Sequence, residues 1–538
     1  MEFDHYSYEV ENEITKPNIK HLLIIWGGLV TLITTIPYIF GFFMQNEQFV
    51  FSGFLFGVED GNSYIAKMLI GSSGDWLFRS PYSAVNQNGL IAFFPYLLLG
   101  KIAGGSGLHE QLISVFHLFR IAGVFFLVYV YIRFFVLFYD NKNTIQLGLL
   151  LVLFGAGWDW LILIFGMDRI PISFYSPETF GFLSVFGLPH LCFSRGFMLL
   201  GIMQLFQWDF TNKAKPFMRT GLFFLMAAIF QPLNLVIAYT VFGIWWLFSL
   251  VKKKFSFQFN LFLKQSLAVL ISLPAFIYYF WIVNSDPFMK QWTAQNILPS
   301  PPFIDYLFAF SPLLIAILLE LFLFKKQKEV LFEDNKKILL LWVVIAFILV
   351  YLPINVQRRL MDGVWLANIV IILPTLEKLK PKFFQWIIIG SMLITPIILL
   401  TGAILSILNP NEPQFILRER VNVYYLISQT AEENAVVLAP FEVSNELPAY
   451  GKLRVVTGHG PESINKQDTE RFLNNLYSYQ INESSACVFV TKHMIKYIWF
   501  NGTIYDENKI NSIFKKSEVS LVVDFPDYKI LKISECKP

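Results

Sequence analysis

The chain has 538 residues, 55% of them hydrophobic, 17% aromatic and only 15% charged, with a mean hydropathy of +0.53 and a net charge of +3. A soluble globular chain carries about 25% charged residues, so this composition, with its repeated apolar runs of span length, excludes a water-soluble protein and indicates a polytopic α-helical membrane protein. The basic residues are divided among separate loops, which excludes a nucleic-acid surface and makes them signals of topology.

The N-terminal tail, residues 1–21, is polar and acid-rich and lacks the basic start and short apolar core of a signal peptide. The first apolar run, Leu22–Met44, is long enough to stay in the bilayer as a helix. Further runs near 111–138, 145–165, 190–208, 217–232, 233–251, 264–283, 303–324, 338–354, 363–376 and 383–408 bring the expected count to about eleven transmembrane helices. The segment Gly89–Ala103 is short and carries Pro95, so it is expected to lie in the outer interface instead of crossing.

With that segment uncrossed, clusters at Lys213/Lys215/Arg219, Lys252–Lys254, Lys325/Lys326/Lys328, Lys336/Lys337 and Lys378/Lys380/Lys382 all fall on the cytoplasmic side. The N-terminus is then inside, in a multi-pass protein of the plasma membrane. Residues 22–408 form the membrane domain, and residues 45–110 a long first external loop with two interfacial helices, Ser63–Ile70 and Gly89–Ala103.

Residues 409–538 lie outside and read as a small α/β domain. Strand-like runs fall at 435–440, 453–458, 486–491 and 520–525, with the helical pattern NKQDTERFLNNLYSY between two of them. A Cys487–Cys536 bridge fits an external location, but with three cysteines in the chain two unpaired thiols are the expected state.

The chemistry-bearing residues gather near outer helix ends. The stretch GVEDGNSYIAKMLIGSSGDWLFRSPYS (57–83) sets Glu59, Asp60, Asp75 and Arg79 among interfacial aromatics such as Trp76 and Tyr82. Its simplest physical reading makes Asp60, Asn62 or Ser63 a helix cap and Asp75 with Arg79 an exposed loop pair. In LPHLCFSRG, His190 and Arg195 sit at the outer end of a span, where Arg195 either meets a phosphate or pairs with Glu178 or Asp159. Arg358 and Arg359 of QRRLMDG lie outside, against the usual bias of basic residues, and either snorkel to headgroups or hold a phosphate. Seven scattered histidines give no zinc spacing, and GHGPES (458–463) reads as a turn, which in an external domain could face a site.

The acidic residues just after the first span, GDWL (74–77), and FFPYLLLGKIAG running into HEQLISVFHLFRIAGVFF resemble the first loop and second span of the GT-C superfamily of membrane glycosyltransferases. The resemblance is to the branch of protein O-mannosyltransferases and the lipid A aminoarabinose transferase. It implies transfer of a sugar, with inversion, from a polyprenyl-phosphate carrier to a protein, lipid or glycan acceptor at the outer face. Asp60 or Glu59 would serve as base. Arg358, Arg359 and Arg195 would meet the donor phosphate, with further substrate contacts from His190, Tyr64, Asp75 and Arg79. No cofactor beyond the lipid-linked co-substrate is implied, although related families sometimes use a divalent cation, for which Asp60 and Asp159 are the candidates. A transporter or flippase, or a noncatalytic binding protein, is the alternative. Transporters hold substrate near the midplane, whereas the charges here concentrate at the outer side.

Overall fold

Asn18 starts the first helix, α1 (Ile19–Phe43), by accepting the backbone N–H of His21 at 3.1 Å, which satisfies a donor the helix cannot. The structure, a computed structural model, describes residues 17–207, 213–252, 257–322 and 334–536. The N-terminal tail through Lys16, Lys253, Lys254, Lys325, Lys326 and Lys328 lie outside the described residues.

Five described helices are long and apolar enough to cross a membrane: α1, Leu108–Phe135, Asn234–Lys252, Phe259–Ser285 and Gln357–Lys378. Lys382–Met392 and Ile394–Leu408, bent by 42°, make a sixth segment of that character. Pro189–Gln207 fills its expected run as one helix of 19 residues, and the remaining runs expected to span form shorter or broken helices. The run 145–165 stops at Leu153 and turns, because the Ala156 N–H donates to the Met392 carbonyl and the Trp158 N–H to the Phe308 carbonyl, both outside the helical ladder. The 303–324 run breaks between Ala309 and Ser311. The expected eleven spans thus hold only in the coarser form of a mostly helical membrane fold.

The first loop carries strand β1 (Phe49–Phe51) and helices α2 (Val58–Ser72) and α3 (Phe94–Gly100) before α4 (Leu108–Phe135). Helix α2 is longer than its expected span of 63–70. Helix α3 is shorter than 89–103, since Phe93 enters the left-handed region at φ 50° and Phe78 pairs with Leu90 upstream. The two helices cross at Gly71 and Gly100. A Cβ on Gly71 would stand 1.9 Å from the Leu97 carbonyl oxygen, and one on Gly100 1.8 Å from that of Met68. Only glycine permits so close a backbone crossing.

The C-terminal region holds a five-stranded sheet in the order β4-β3-β5-β7-β6, built from β3 (Val436–Leu438), β4 (Arg454–Val455), β5 (Ile495–Asn501), β6 (Glu518–Asp524) and β7 (Tyr528–Glu535). β3 runs parallel to β4 and β5, whereas β7 is antiparallel to β5 and β6. Three of the strand expectations are matched by β3, β4 and β6. The fourth, 486–491, is corrected: Glu483–Lys492 is a helix. Asn482 caps it by accepting the Ser485 N–H, and the buried Ala486, Cys487 and Val490 recur at helical spacing.

Strand β2 (Phe415–Leu417) pairs antiparallel with β1, Phe49 opposite Leu417, and so ties this region to the first loop.

The expectation of free thiols is also corrected, since Cys487 and Cys536 form a disulfide that closes 49 residues of chain. Both halves of the bridge belong to the apolar cluster around Leu531 and Ile533, which brings them together. Because the closed loop is long, Cys536→Ser should lower stability by about 2–4 kcal/mol. Thermal unfolding with and without reductant checks this: reductant should lower the wild-type midpoint and leave the variant's unchanged.

Candidate active site between the first loop and the C-terminal domain

The turn 458–463 is folded by its own serine. Ser463 Oγ accepts the backbone N–H groups of Gly458 (2.8 Å) and His459 (3.0 Å). Gly458 has no room for a side chain, since a Cβ would lie 2.4 Å from the Ser444 carbonyl oxygen. The turn is held against α2 and the 78–90 hairpin. Tyr82 donates its hydroxyl to the Asn445 carbonyl, Asn62 bonds the Asn445 side chain, and Val455 N–H donates to the Pro81 carbonyl.

Four charged side chains meet there. Lys67 on α2 pairs with Glu462 Oε1 at 2.8 Å, and their side chains are 1% and 2% exposed. Ser80 donates to the other Glu462 oxygen, and Lys67 also donates to Ser63. His459 bridges outward, its Nδ1 3.0 Å from Glu462 Oε1 and its Nε2 3.1 Å from Asp60 Oδ1. Lys67 further lies 4.4 Å from the centre of the Phe93 ring, a favourable seat for a buried ammonium.

Burial pushes Glu462 up, yet the Lys67 charge and the His459 hydrogen bond hold it well below the usual carboxylate range. Burial pushes His459 down, but hydrogen bonds to Asp60 and Glu462 outweigh it and raise the imidazole to about 9. Desolvation is also the largest influence on Asp60, and the His459 bond with the charges of His459, Lys67 and Arg359 still brings it below its ordinary value. Asp60 keeps 54% of its side-chain surface open.

Asp60 is not the helix cap. Gly57, left-handed at φ 60°, holds that position, and Asp60 stands in the first turn, where the helix dipole favours a negative charge. Glu59 is exposed, and its backbone carbonyl is contacted by the Asn445 side chain at 3.3 Å.

Tyr64 stacks on Tyr96 at 4.5 Å and meets the His190 ring at 5.4 Å, while the Tyr96 hydroxyl lies 2.8 Å from His190 Nδ1. Arg359 pairs with Glu178 at 3.2 Å, and its charge acts on Asp60, Tyr64 and His190 alike. Arg358 lies over the Tyr175 ring at 4.8 Å. Asp60, Tyr64, His190 and Arg359 therefore share one electrostatic neighbourhood.

Other sequence candidates fall away from it. Arg195 is 2% exposed and is held by Asp362 and by the carbonyls of Pro177 (2.7 Å) and Glu178 (2.8 Å). Its carboxylate partner is Asp362, neither Glu178 nor Asp159. Asp159 is wholly buried, with one oxygen taken by the Ser173 N–H (2.7 Å) and the other by its hydroxyl (2.9 Å). It therefore does not fit a cation site with Asp60, and among the described residues no group of three or more His, Cys, Asp or Glu could hold a metal ion. Asp75 and Arg79 are exposed, and Asp75 is engaged through its carbonyl by Lys101.

Lys67, His459 and Glu462 were not anticipated as site residues. The one signal was the GHGPES turn, whose partner on α2 lies about 400 positions upstream in sequence.

Replacing Glu462 by Gln leaves Lys67 and His459 buried without their counter-charge, and loss of one partner of a buried pair costs about 3–5 kcal/mol. The double change Lys67→Met with Glu462→Gln should recover much of that loss. Chemical unfolding of the three proteins checks the coupling. The stability gained from His459 is fully present below its unfolded value near 6.5 and is lost as pH rises through about 9.

No known protein family and no curated protein matches the chain by sequence. Solved structures do match. The arabinofuranosyltransferase AftD from Mycobacteria superposes with a TM-score of 0.52 at 10% identity, covering 95% of this chain and 40% of that one. ArnT from Cupriavidus metallidurans gives 0.49 at 11% identity over 94% and 97% of the two chains. The oligosaccharyltransferase AglB from Archaeoglobus fulgidus gives 0.49 at 13% identity over 89% and 70%. All three are GT-C glycosyltransferases, and the likeness to AftD shows that this chain has their fold.

Proposed function

We propose that the chain is an integral membrane glycosyltransferase that moves a sugar from a polyprenyl-phosphate carrier to an acceptor hydroxyl at the outer face. The observation that carries this reading is Asp60: an exposed carboxylate in the first turn of α2, one oxygen 3.1 Å from His459 Nε2, with the Arg359 charge acting on it. A lipid carrier keeps its tail in the bilayer, so its sugar reaches a site at headgroup depth, where α2 and α3 lie on this reading.

In the transfer, the acceptor oxygen attacks the anomeric carbon from the side opposite the phosphate. The carbon–oxygen bond to the phosphate breaks, its electron pair leaves with the phosphate oxygen, and the configuration inverts. The acceptor proton passes to Asp60 Oδ2, the oxygen that takes no hydrogen bond from the described residues. A carboxylate held below its ordinary pKa is ionised across physiological pH and takes the proton as bond formation makes the acceptor oxygen acidic. Arg359, with Arg358 beside it in sequence, would face the leaving phosphate, since a guanidinium fork contacts two oxygens at once. Tyr64 and His190, whose rings meet at 5.4 Å, would contact the sugar.

The C-terminal domain would lie outside the cytoplasm, with the N-terminus inside. The Cys487–Cys536 bridge supports this placement, because disulfides persist in oxidising compartments.

Purified protein assayed with a panel of polyprenyl-phosphate sugars tests the reading. Asp60→Asn should reduce transfer by about 10²–10⁴-fold, the usual contribution of a positioned base, with folding unchanged. Undiminished transfer in that variant would take the base role from Asp60 and give it to Glu59 or another group.

A further inference from the structure

We infer that His459 and Glu462, contributed by the C-terminal domain, are positioning residues for Asp60, so that the catalytic centre is assembled across both parts of the chain. The inference rests on the glycosyltransferase reading and extends it to the C-terminal domain.

The geometry fixes the charge state. His459 meets a carboxylate oxygen at each ring nitrogen, Asp60 Oδ1 at 3.1 Å and Glu462 Oε1 at 3.0 Å. Ionised carboxylates only accept hydrogen bonds, so both contacts are made together only when both ring nitrogens carry protons. His459 is thus an imidazolium clamped between two acids, and its raised pKa agrees. A neutral ring would turn a lone pair toward one of them and release it.

Glu462 in turn is fixed by Lys67 and Ser80, in a pocket that leaves it 2% exposed. The chain Lys67–Glu462–His459–Asp60 therefore runs from a buried anchor to an open carboxylate. Each group orients the next, the logic by which a third residue orients a base in other catalytic constellations.

The groups facing His459 are few. They are Asp60 and Lys67 on α2, Glu462 on its own turn, and Tyr82 on the 78–90 hairpin with its ring 5.3 Å away. Lys290, on the helix Pro287–Gln295 packed against the turn, is exposed. None of the neighbouring cations replaces the bond that His459 makes to Asp60.

Orientation by His459 has a consequence that simple packing does not. His459→Gln keeps an N–H donor in place of Nε2 but cannot titrate, whereas His459→Ala removes the donor altogether. In wild type, kcat should fall as pH rises through about 9, where the clamp loses its proton. In His459→Gln that alkaline limb should vanish while most of the neutral-pH rate remains. In His459→Ala kcat should fall at least about tenfold at neutral pH, a part of the ~10²–10⁴ that a positioned base supplies, with KM for the donor little changed.

Titration of ¹⁵N-histidine-labelled protein, with His459 assigned by its absence in the Gln variant, gives a readout independent of turnover. An imidazolium persisting to about pH 9 supports the clamp, and titration near the ordinary 6.5 overturns it. Wild-type rates and an unchanged alkaline limb in both variants would overturn the positioning role. Absence of wild-type transfer across the donor panel would overturn the glycosyltransferase reading itself, and the titration would still decide the clamp.

Discussion

The buried ion pair between Lys67 and Glu462 is the contact on which the joining of the first loop to the C-terminal domain depends. It joins a helix of the first loop to a turn 395 positions later in the chain, and both side chains are out of water. Burying two charges costs several kcal/mol each unless geometry and further hydrogen bonds compensate. Here Ser63, Ser80 and His459 supply those bonds, so a costly pair becomes a specific one. Any displacement of the C-terminal domain would leave an uncompensated charge on each side, which holds the two parts in a single register.

Other contacts reinforce that register without setting it. The β1–β2 ladder fastens the start of the C-terminal region beside the end of α1. His109, at the head of α4, bonds the Ala449 carbonyl at 2.9 Å and stacks on Tyr450 at 3.9 Å. Arg454 donates to the carbonyls of Ser83 and Val85. These bonds use backbone groups that a loop must satisfy somewhere, and their partners come from the far end of the chain. The first loop is therefore folded jointly with the C-terminal domain, and Asp60 stands where the two meet.

The membrane character of the chain, the helical first loop and the acid on α2 were legible in the sequence because they rest on local quantities: apolar run length, charge depletion and the order of motifs. Span continuity was less legible. A run such as 145–165 is largely apolar, and its helix ends where the backbone N–H groups of Ala156 and Trp158 turn to the Met392 and Phe308 carbonyls. The 486–491 segment misled for a related reason, since a short β-branched run has no decisive period until Asn482 is seen as a cap.

The site was half legible. Asp60, Tyr64, His190 and Arg359 come from motifs near helix ends, where charge is informative by its position. His459, Glu462 and Lys67 gain meaning only from contact across nearly 400 residues. Arg195 shows the converse. Its position at an outer helix end suggested a ligand, but Asp362, which satisfies it, lies 167 residues away.

The most direct measurement is a structure of the protein with a polyprenyl-phosphate sugar bound. The account predicts the phosphate against Arg359 and the anomeric carbon facing Asp60 Oδ2, with His459 still bonded to Oδ1. A donor seated elsewhere, with its sugar remote from Asp60 and the His459 turn, would contradict it.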